Sequence, residues 1–212
     1  MIISHHHSFI FAAVPKTGTH SVRRALRKQL GDEDIEQVGL FVQKRFPWDA
    51  LAAVQHGHLS LEQLRPHLGE DRFRRYLKFA FVRNPFDRFV SYCAFMLRGG
   101  DVFHQRPRDV MHHFLFREPP EGHILFQPQA TLLTGPDGIT LTTDAIGHVE
   151  DMQPSYDAIC ARIGIASSPL ERVNGSSHRN YREYYDQPLI DAVAARYAQD
   201  LDLFGYTFDG RR

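Results

Sequence analysis

"FIFAAVPKTGTHSVRRAL", residues 9 to 26, is the stretch whose reading decides the fold. Its apolar run from Phe9 to Val14 reads as a buried strand, broken at Pro15 and followed by Lys16, Gly18 and the hydroxyl residues Thr17, Thr19 and Ser21. From Thr19 to Leu30 the residues Val22, Ala25, Leu26 and Leu30 recur at helical spacing. Arg23, Arg24, Arg27 and Lys28 occupy the other face, and Gly31 ends the helix. Strand, tight polar turn and helix form the usual order of a phosphate cradle. The ordinary nucleotide loop, G-x-x-x-x-G-K-[ST], carries its lysine after the last glycine. Here Lys16 precedes Gly18 and the first glycine is missing. The physical parts are nonetheless present. Gly18 permits the turn, the amides of Gly18, Thr19 and His20 can face one anion, and Thr17, Thr19 and Ser21 add hydroxyl donors. The helix adds the positive end of its dipole and Lys16 a mobile charge. The competing reading is an ordinary strand-to-helix turn with a solvated lysine.

Working outward, 212 residues suit one domain, 1–212, with a substantial core. Lys+Arg and Asp+Glu number 25 each, so net charge makes no case for nucleic acid, and any anion site must be a local arrangement. Cys93 and Cys160 have no metal spacing and each sits in an apolar helical pattern, which reads as buried thiols in a reducing compartment. No segment reaches the roughly 18 apolar residues of a membrane span. The start lacks a basic region leading into a long apolar one, so no secretory signal is expected. His5, His6 and His7 read as a polar lead-in to the strand.

Further along, a short element is expected across Val38 to Phe46, and an apolar run from Leu51 to Gln55 leads into "HGHLSLEQL". There Ser60 and Gln63 have the spacing of a capping box. Tyr76 to Val82 reads as a second buried strand, with Asn84 as N-cap and Pro85 as first residue of the next helix. That helix carries Phe86, Phe89, Val90, Cys93 and Leu97 on one side, and Asn84, Asp87, Arg88 and Ser91 on the other. Residues 99–140 are irregular and rich in Pro, Gly and His, with one helix expected near Asp109 to Phe116; they read as a variable, substrate-facing insertion. A strand over Ile146 to Val149, a helix over Asp151 to Ile163, a polar loop over 173–182 and a last helix over Pro188 to Leu203 complete the pattern. Alternating strands and helices predict an α/β fold, a mostly parallel sheet with helices on both faces. Such sheets bind ligands at the carboxyl ends of their strands, where Lys16 and Arg83 would emerge.

Two further constellations carry chemistry. In "FVRNPFDRFVS" Arg83 leaves a strand end and Ser91 lies on the following helix, a pair able to bracket a second phosphate; the alternative is that Arg83 pairs with Asp87 or another acid. In His56-Gly57-His58 two histidines at i and i+2 face one side of an extended segment, but no third ligand at fixed spacing supports a metal site. A hydrogen-bonded core histidine is the plainer alternative.

Taken together, these segments resemble the PAPS-dependent sulfotransferases, whose donor is 3′-phosphoadenosine 5′-phosphosulfate. "VPKTGTHS" is similar to their 5′-phosphosulfate loop and "VRNPFDRFVSY" to their 3′-phosphate segment. "HGHLS" followed by "FVRNPFDRFVSYCAF" is most similar to the heparan sulfate (uronosyl) 2-O-sulfotransferases and their bacterial relatives. "IGHVEDMQPSYDAI", "VNGSSHRNYREYY" and "DLDLFGY" resemble that group's C-terminal half. Only residues 99–140 match poorly.

The resemblance implies a P-loop-NTPase-like fold and a donor with two anionic ends. Lys16, Thr17, Gly18, Thr19, His20 and Ser21 would hold the 5′-phosphosulfate, and Arg83 and Ser91 the 3′-phosphate. It implies His58 as general base, His56 as a supporting or acceptor-contacting residue, and Arg179 as a donor contact from a loop closing over the nucleotide. It further implies a hydroxyl acceptor on a saccharide, no metal, 3′,5′-ADP as product, and a soluble, bacterial-type, cytoplasmic protein without the membrane anchor of animal members. Arg106, Arg108, His112 and His113 are candidates to meet an acidic sugar, with solvated surface as the alternative. Two other functional readings stand beside this one. A small ATP-dependent kinase is disfavoured by the glycine–lysine order. A non-catalytic module binding nucleotide or sulfated glycan is disfavoured by the presence of both Lys16 and His58.

Overall fold

The structure, a computed structural model, describes residues 1–36, 47–54, 56–171 and 180–212. The element expected across Val38 to Phe46 lies outside the described residues. The helices, in chain order, are α1 Thr19–Arg27, α2 Asp49–Ala52, α3 Leu61–Leu68, α4 Glu70–Arg75, α5 Pro85–Met96, α6 Val102–Gln105, α7 Pro107–His112, α8 Met152–Ile163, α9 Gln187–Arg196 and α10 Ala198–Phe204. Two compact units divide them: Met1–Val82 with Gln129–Val173, and Arg83–Pro128 with Asn174–Arg212.

The first unit is built on a five-stranded sheet of β1 Ile2–Ser4, β2 Phe9–Ala12, β3 Ile35–Glu36, β4 Leu77–Val82 and β5 Ala145–His148, in the order β3-β1-β2-β4-β5. β2 pairs parallel with β4 and β4 with β5, while β1 runs antiparallel to both β2 and β3. Only β1 therefore opposes the common direction. This is the mostly parallel α/β sheet that the alternation of elements requires.

Period-2 alternation sorts the strand residues. Phe9, Phe11, Phe79 and Phe81 turn to one face, where Val22, Ala25 and Leu26 of α1 and Tyr156, Ile159 and Cys160 of α8 cover them. Fully burying each such phenylalanine is worth about 1.5–3 kcal/mol. Ile10, Ala12, Ala80 and Val82 alternate with them and are also wholly buried, so neither face of the sheet is left to solvent. At the β4–β5 pairing Gly147 lies opposite Phe81, and a Cβ there would come within 2.6 Å of the Phe81 ring. A side chain at 147 would push the two strands apart.

β1 and β3 escaped the sequence reading. His5–His7 prove to be the turn between β1 and β2, held by a carboxylate that arrives from residue 34. The Asp34 side chain accepts from Ser4 Oγ at 2.7 Å, His5 N at 2.6 Å, His6 N at 3.1 Å and Gly31 N at 2.9 Å. Burial by itself would raise the Asp34 carboxyl, but the Ser4 hydroxyl and the three backbone donors outweigh it and hold the group below its ordinary value. A depressed folded-state value means that this stabilisation is present above the unfolded carboxylate range and is lost as pH falls through the folded one. Asp34→Ala is expected to lower unfolding free energy by about 2–4 kcal/mol in urea melts, since it strands donors in a buried turn. A loss below about 0.5 kcal/mol, the range of ordinary surface changes, would contradict that assignment.

β3 anchors α1. Glu36, buried at the end of β3, receives Arg23 Nε at 3.0 Å and Arg27 through Nε at 2.6 Å and Nη2 at 2.9 Å. Further on, Ser60 and Gln63 form the expected capping box at the start of α3.

The second unit packs α5, α6, α7, α9 and α10 around Phe86, Phe89, Tyr92, Phe103, Phe126, Leu189 and Tyr197, among others. Asn84 caps α5 by accepting from Phe86 N at 3.0 Å, as its place before Pro85 requires. Two expectations need correction here. The helix expected near Asp109 to Phe116 is α7 followed by a π-helical turn over His113–Arg117. The last helix is not continuous from Pro188 to Leu203. It breaks at Tyr197, whose φ of −110° and ψ of 26° leave the helical region while its buried hydroxyl donates to Phe126 O at 2.9 Å. Burying and satisfying that tyrosine outweighs continuing the helix. Cys93 and Cys160 are buried free thiols, as the apolar patterning implies.

Candidate anion-binding and catalytic site

β2 ends at Ala12 and α1 begins at Thr19, so six residues make the turn. Lys16 sits at φ 68° and Gly18 at φ 69°, both in the left-handed region. For Gly18 this conformation is free of cost. For Lys16 it costs of order 1–3 kcal/mol, strain of the kind that persists where the surroundings over-determine the backbone. Part of that determination is visible: Thr17 is fully buried and its hydroxyl donates to Val14 O at 2.9 Å. The Thr17 hydroxyl thus serves the turn itself, while Thr19 and Ser21 are buried at the start of α1 and His20 is exposed there.

α1 has no acidic residue in its first turn, and no side chain caps it at Gly18. The positive end of a helix dipole suits an anion. Cations reinforce it. Partial burial, then the charges of Arg23, Arg24, Arg27 and Lys16, hold His20 below its ordinary value, so its ring is neutral at neutral pH. Cationic side chains thus cluster at the turn and the first part of α1, with Glu36 and Glu171 pairing the three arginines.

His58 belongs to the same unit and reaches this turn. Its Nδ1 lies 2.7 Å from Ala13 O, on the segment that carries β2 into the turn. A carbonyl can only accept, so Nδ1 carries the proton and the neutral ring keeps its lone pair on Nε2. Burial drives the His58 value down from 6.5 to about 4, against the opposing pull of the Ala13 carbonyl. His56, exposed, stacks its ring at 6.4 Å and 22° to that of His58, so the pair shares one side as the i, i+2 spacing predicts.

The segment that carries Arg83 and Ser91 lies in the second unit. Arg83 Nε donates to Asp87 Oδ2 at 2.6 Å, so the ion pair that the sequence offers as an alternative is formed. Ser91 follows Asp87 by one helical turn, but it is buried where the sequence reading set it on a polar face. Arg179 lies outside the described residues.

The candidate acceptor residues are also in the second unit. Arg106 and Arg108 line a cavity of ≈ 370 Å³ with Gln105, Asp109, Glu183 and Tyr184. Arg108 also donates to Tyr184 O at 3.3 Å. His112 Nε2 lies 2.9 Å from Asp186 Oδ2, and His113 Nε2 lies 3.5 Å from Glu118. The sequence reading missed three participants: the Ala13 carbonyl, the field of Arg23, Arg24 and Arg27, and Glu36, which orients two of those arginines. Only the run of arginines beside the loop was legible as a signal.

Among the described residues no helix is long and apolar enough to cross a membrane. Neither the curated proteins nor the solved structures yield a match to this chain. A family model does, across the span that holds the Lys16 turn, both histidines, Arg83 and Ser91. Residues 1–95 match the model described as the Sulfotransferase family, which supports sulfuryl transfer as the general class of chemistry.

Proposed function

We propose that this protein transfers a sulfuryl group from PAPS to a hydroxyl group of a saccharide, with His58 as general base. The observation that carries this reading is the bond from His58 to Ala13 O. It ties a histidine of fixed tautomer to the backbone that leads into a strained, electropositive anion turn.

The residues fit an anionic donor end: an uncapped helix start, left-handed backbone at Lys16 and Gly18, and a cationic surrounding. PAPS, when bound, supplies an activated sulfuryl group whose departure leaves charge on the 5′-phosphate. Lys16 and the amides of the turn are the groups that meet that charge, and stabilising charge as it develops is where such donors are worth most. His58 Nε2 takes the proton of the acceptor hydroxyl, and Nδ1–H on the Ala13 carbonyl keeps the ring oriented meanwhile. In-line transfer of a loosely bonded group demands chiefly such positioning and charge stabilisation. Arg83 and Ser91 are assigned the 3′-phosphate, with Asp87 orienting the guanidinium. Arg179 is assigned a further donor contact, from the resemblance alone. One sulfotransferase domain over 1–212 is the corresponding organisation.

Burial of His58 gives a pH dependence. Activity needs its neutral form, which is lost only as pH falls through about 4. kcat/KM is therefore expected to be flat from about pH 5.5 upward through neutrality, where an unperturbed histidine would already titrate. A fall centred near 6.5 would contradict the burial of the base.

Thermal shift separates this reading from the kinase one. 3′,5′-ADP is expected to raise the melting temperature, with ATP–Mg²⁺ doing less, because ligand that binds only the folded state stabilises it. Stabilisation by ATP–Mg²⁺ alone would overturn the donor assignment.

A further inference from the structure

The turn that carries Lys16 is roofed by a residue from far along the chain. A Cβ built on Gly18 would lie 2.6 Å from Met152 Cε and 3.1 Å from its Sδ. The Met152 methyl thus occupies the space where any other residue at 18 would put a side chain. Met152 is the first residue of α8, and its remaining side chain packs against the core cluster of Phe9, Phe11, Val22, Phe79 and Tyr156.

The start of α8 is itself held. Ser155 Oγ accepts from His148 N at 3.1 Å, tying α8 back to β5, and Gln153 Oε1 accepts from Leu170 N at 2.8 Å. Met152 is therefore a fixed support reaching from the core to the anion turn. Gly18 is the residue that turns the backbone into α1, and its φ of 69° sets the direction of the amides that follow. A support pressing on Gly18 limits how far the turn can relax away from an anion.

We infer that Met152 is a positioning residue: its thioether holds Gly18, and through it the first amides of α1, in the anion-binding geometry. It contacts no reacting atom. The inference rests on the reading of the Lys16 turn as the donor's anion site.

The test is a set of variants, Met152→Ala, Met152→Leu, Gly18→Ala and the double variant, titrated with 3′,5′-ADP and separately with inorganic sulfate. Met152→Ala is expected to weaken binding about tenfold, a loss of preorganisation, while Met152→Leu, which restores bulk, stays within about threefold of wild type. Gly18→Ala should weaken binding too, through left-handed strain and collision with Met152. Adding Met152→Ala to it should then cost less than the product of the single effects. Melting temperatures of all four separate positioning from folding: a binding loss in Met152→Ala protein that stays folded supports the inference. Wild-type affinity in Met152→Ala, or strictly multiplicative effects in the double variant, would overturn it. Binding of sulfate but not 3′,5′-ADP by wild type would overturn the donor reading, leaving Met152 to be judged on sulfate. Wild type that binds neither overturns both.

Discussion

His58→Ala is expected to slow transfer by about 10²–10⁴-fold, the usual worth of a positioned proton acceptor, while leaving 3′,5′-ADP affinity within about twofold. The cause is the bond to Ala13 O. That bond commits Nδ1 to the backbone, so the one nitrogen left for chemistry is Nε2. The ring is buried enough to drive its value to about 4, so at neutral pH all of it is in the accepting form. Removing it takes away the acceptor and its one bond to Ala13 O, while Lys16, Gly18 and the start of α1 keep their own contacts. His58→Gln separates position from basicity, since its amide nitrogen can keep a donor near Ala13 but it offers no comparable base. It is expected to fold like wild type and to remain as slow as His58→Ala. Full activity in either variant would remove His58 from the mechanism.

Lys16→Ala carries the second large expectation, a fall in kcat of about 10²–10³-fold, the scale seen when one donor to developing charge is deleted. Its backbone makes the substitution informative. Lys16 is held at φ 68°, a conformation that an alanine adopts with similar difficulty, so Lys16→Ala removes the ammonium while leaving the strain in place. Lys16→Gly removes both. If the ammonium matters and the strain is merely tolerated, Lys16→Gly should be as slow as Lys16→Ala and more stable by about 1–3 kcal/mol, the cost of left-handed backbone at a residue with a Cβ. Single-turnover rates give the first comparison and urea melts the second. Equal rates for wild type and Lys16→Ala would leave the turn as a structural bend only.

The parts of the site that were legible in the sequence share a cause: each announces itself within a few residues. The apolar run before Pro15, the glycine at 18, the Ser60–Gln63 cap and Asn84-Pro85 are local signals, and each appears where expected. What stayed hidden depends on distant partners. β1 is three residues long and β3 two, too short for periodicity to register, and their role is clear only once Asp34 is seen to bind the turn between β1 and β2 and Glu36 to bind α1. The break at Tyr197 reflects a tertiary bond to Phe126 O that overrides helical propensity. The seat of Met152 on Gly18 joins residues separated by most of the first unit's sequence. Arg83 is the instructive middle case: both its ion pair with Asp87 and a phosphate role were readable, and the i, i+4 ion pair is formed.

The most direct measurement of the central claim is a transfer assay with PAPS carrying radiolabelled sulfur, offered to a panel of saccharides, phenols and peptides. Labelled product on a saccharide hydroxyl, formed one-for-one with 3′,5′-ADP and lost in Lys16→Ala and His58→Ala, is the result predicted. Absence of labelled product from every acceptor, with 3′,5′-ADP failing to bind, would contradict it.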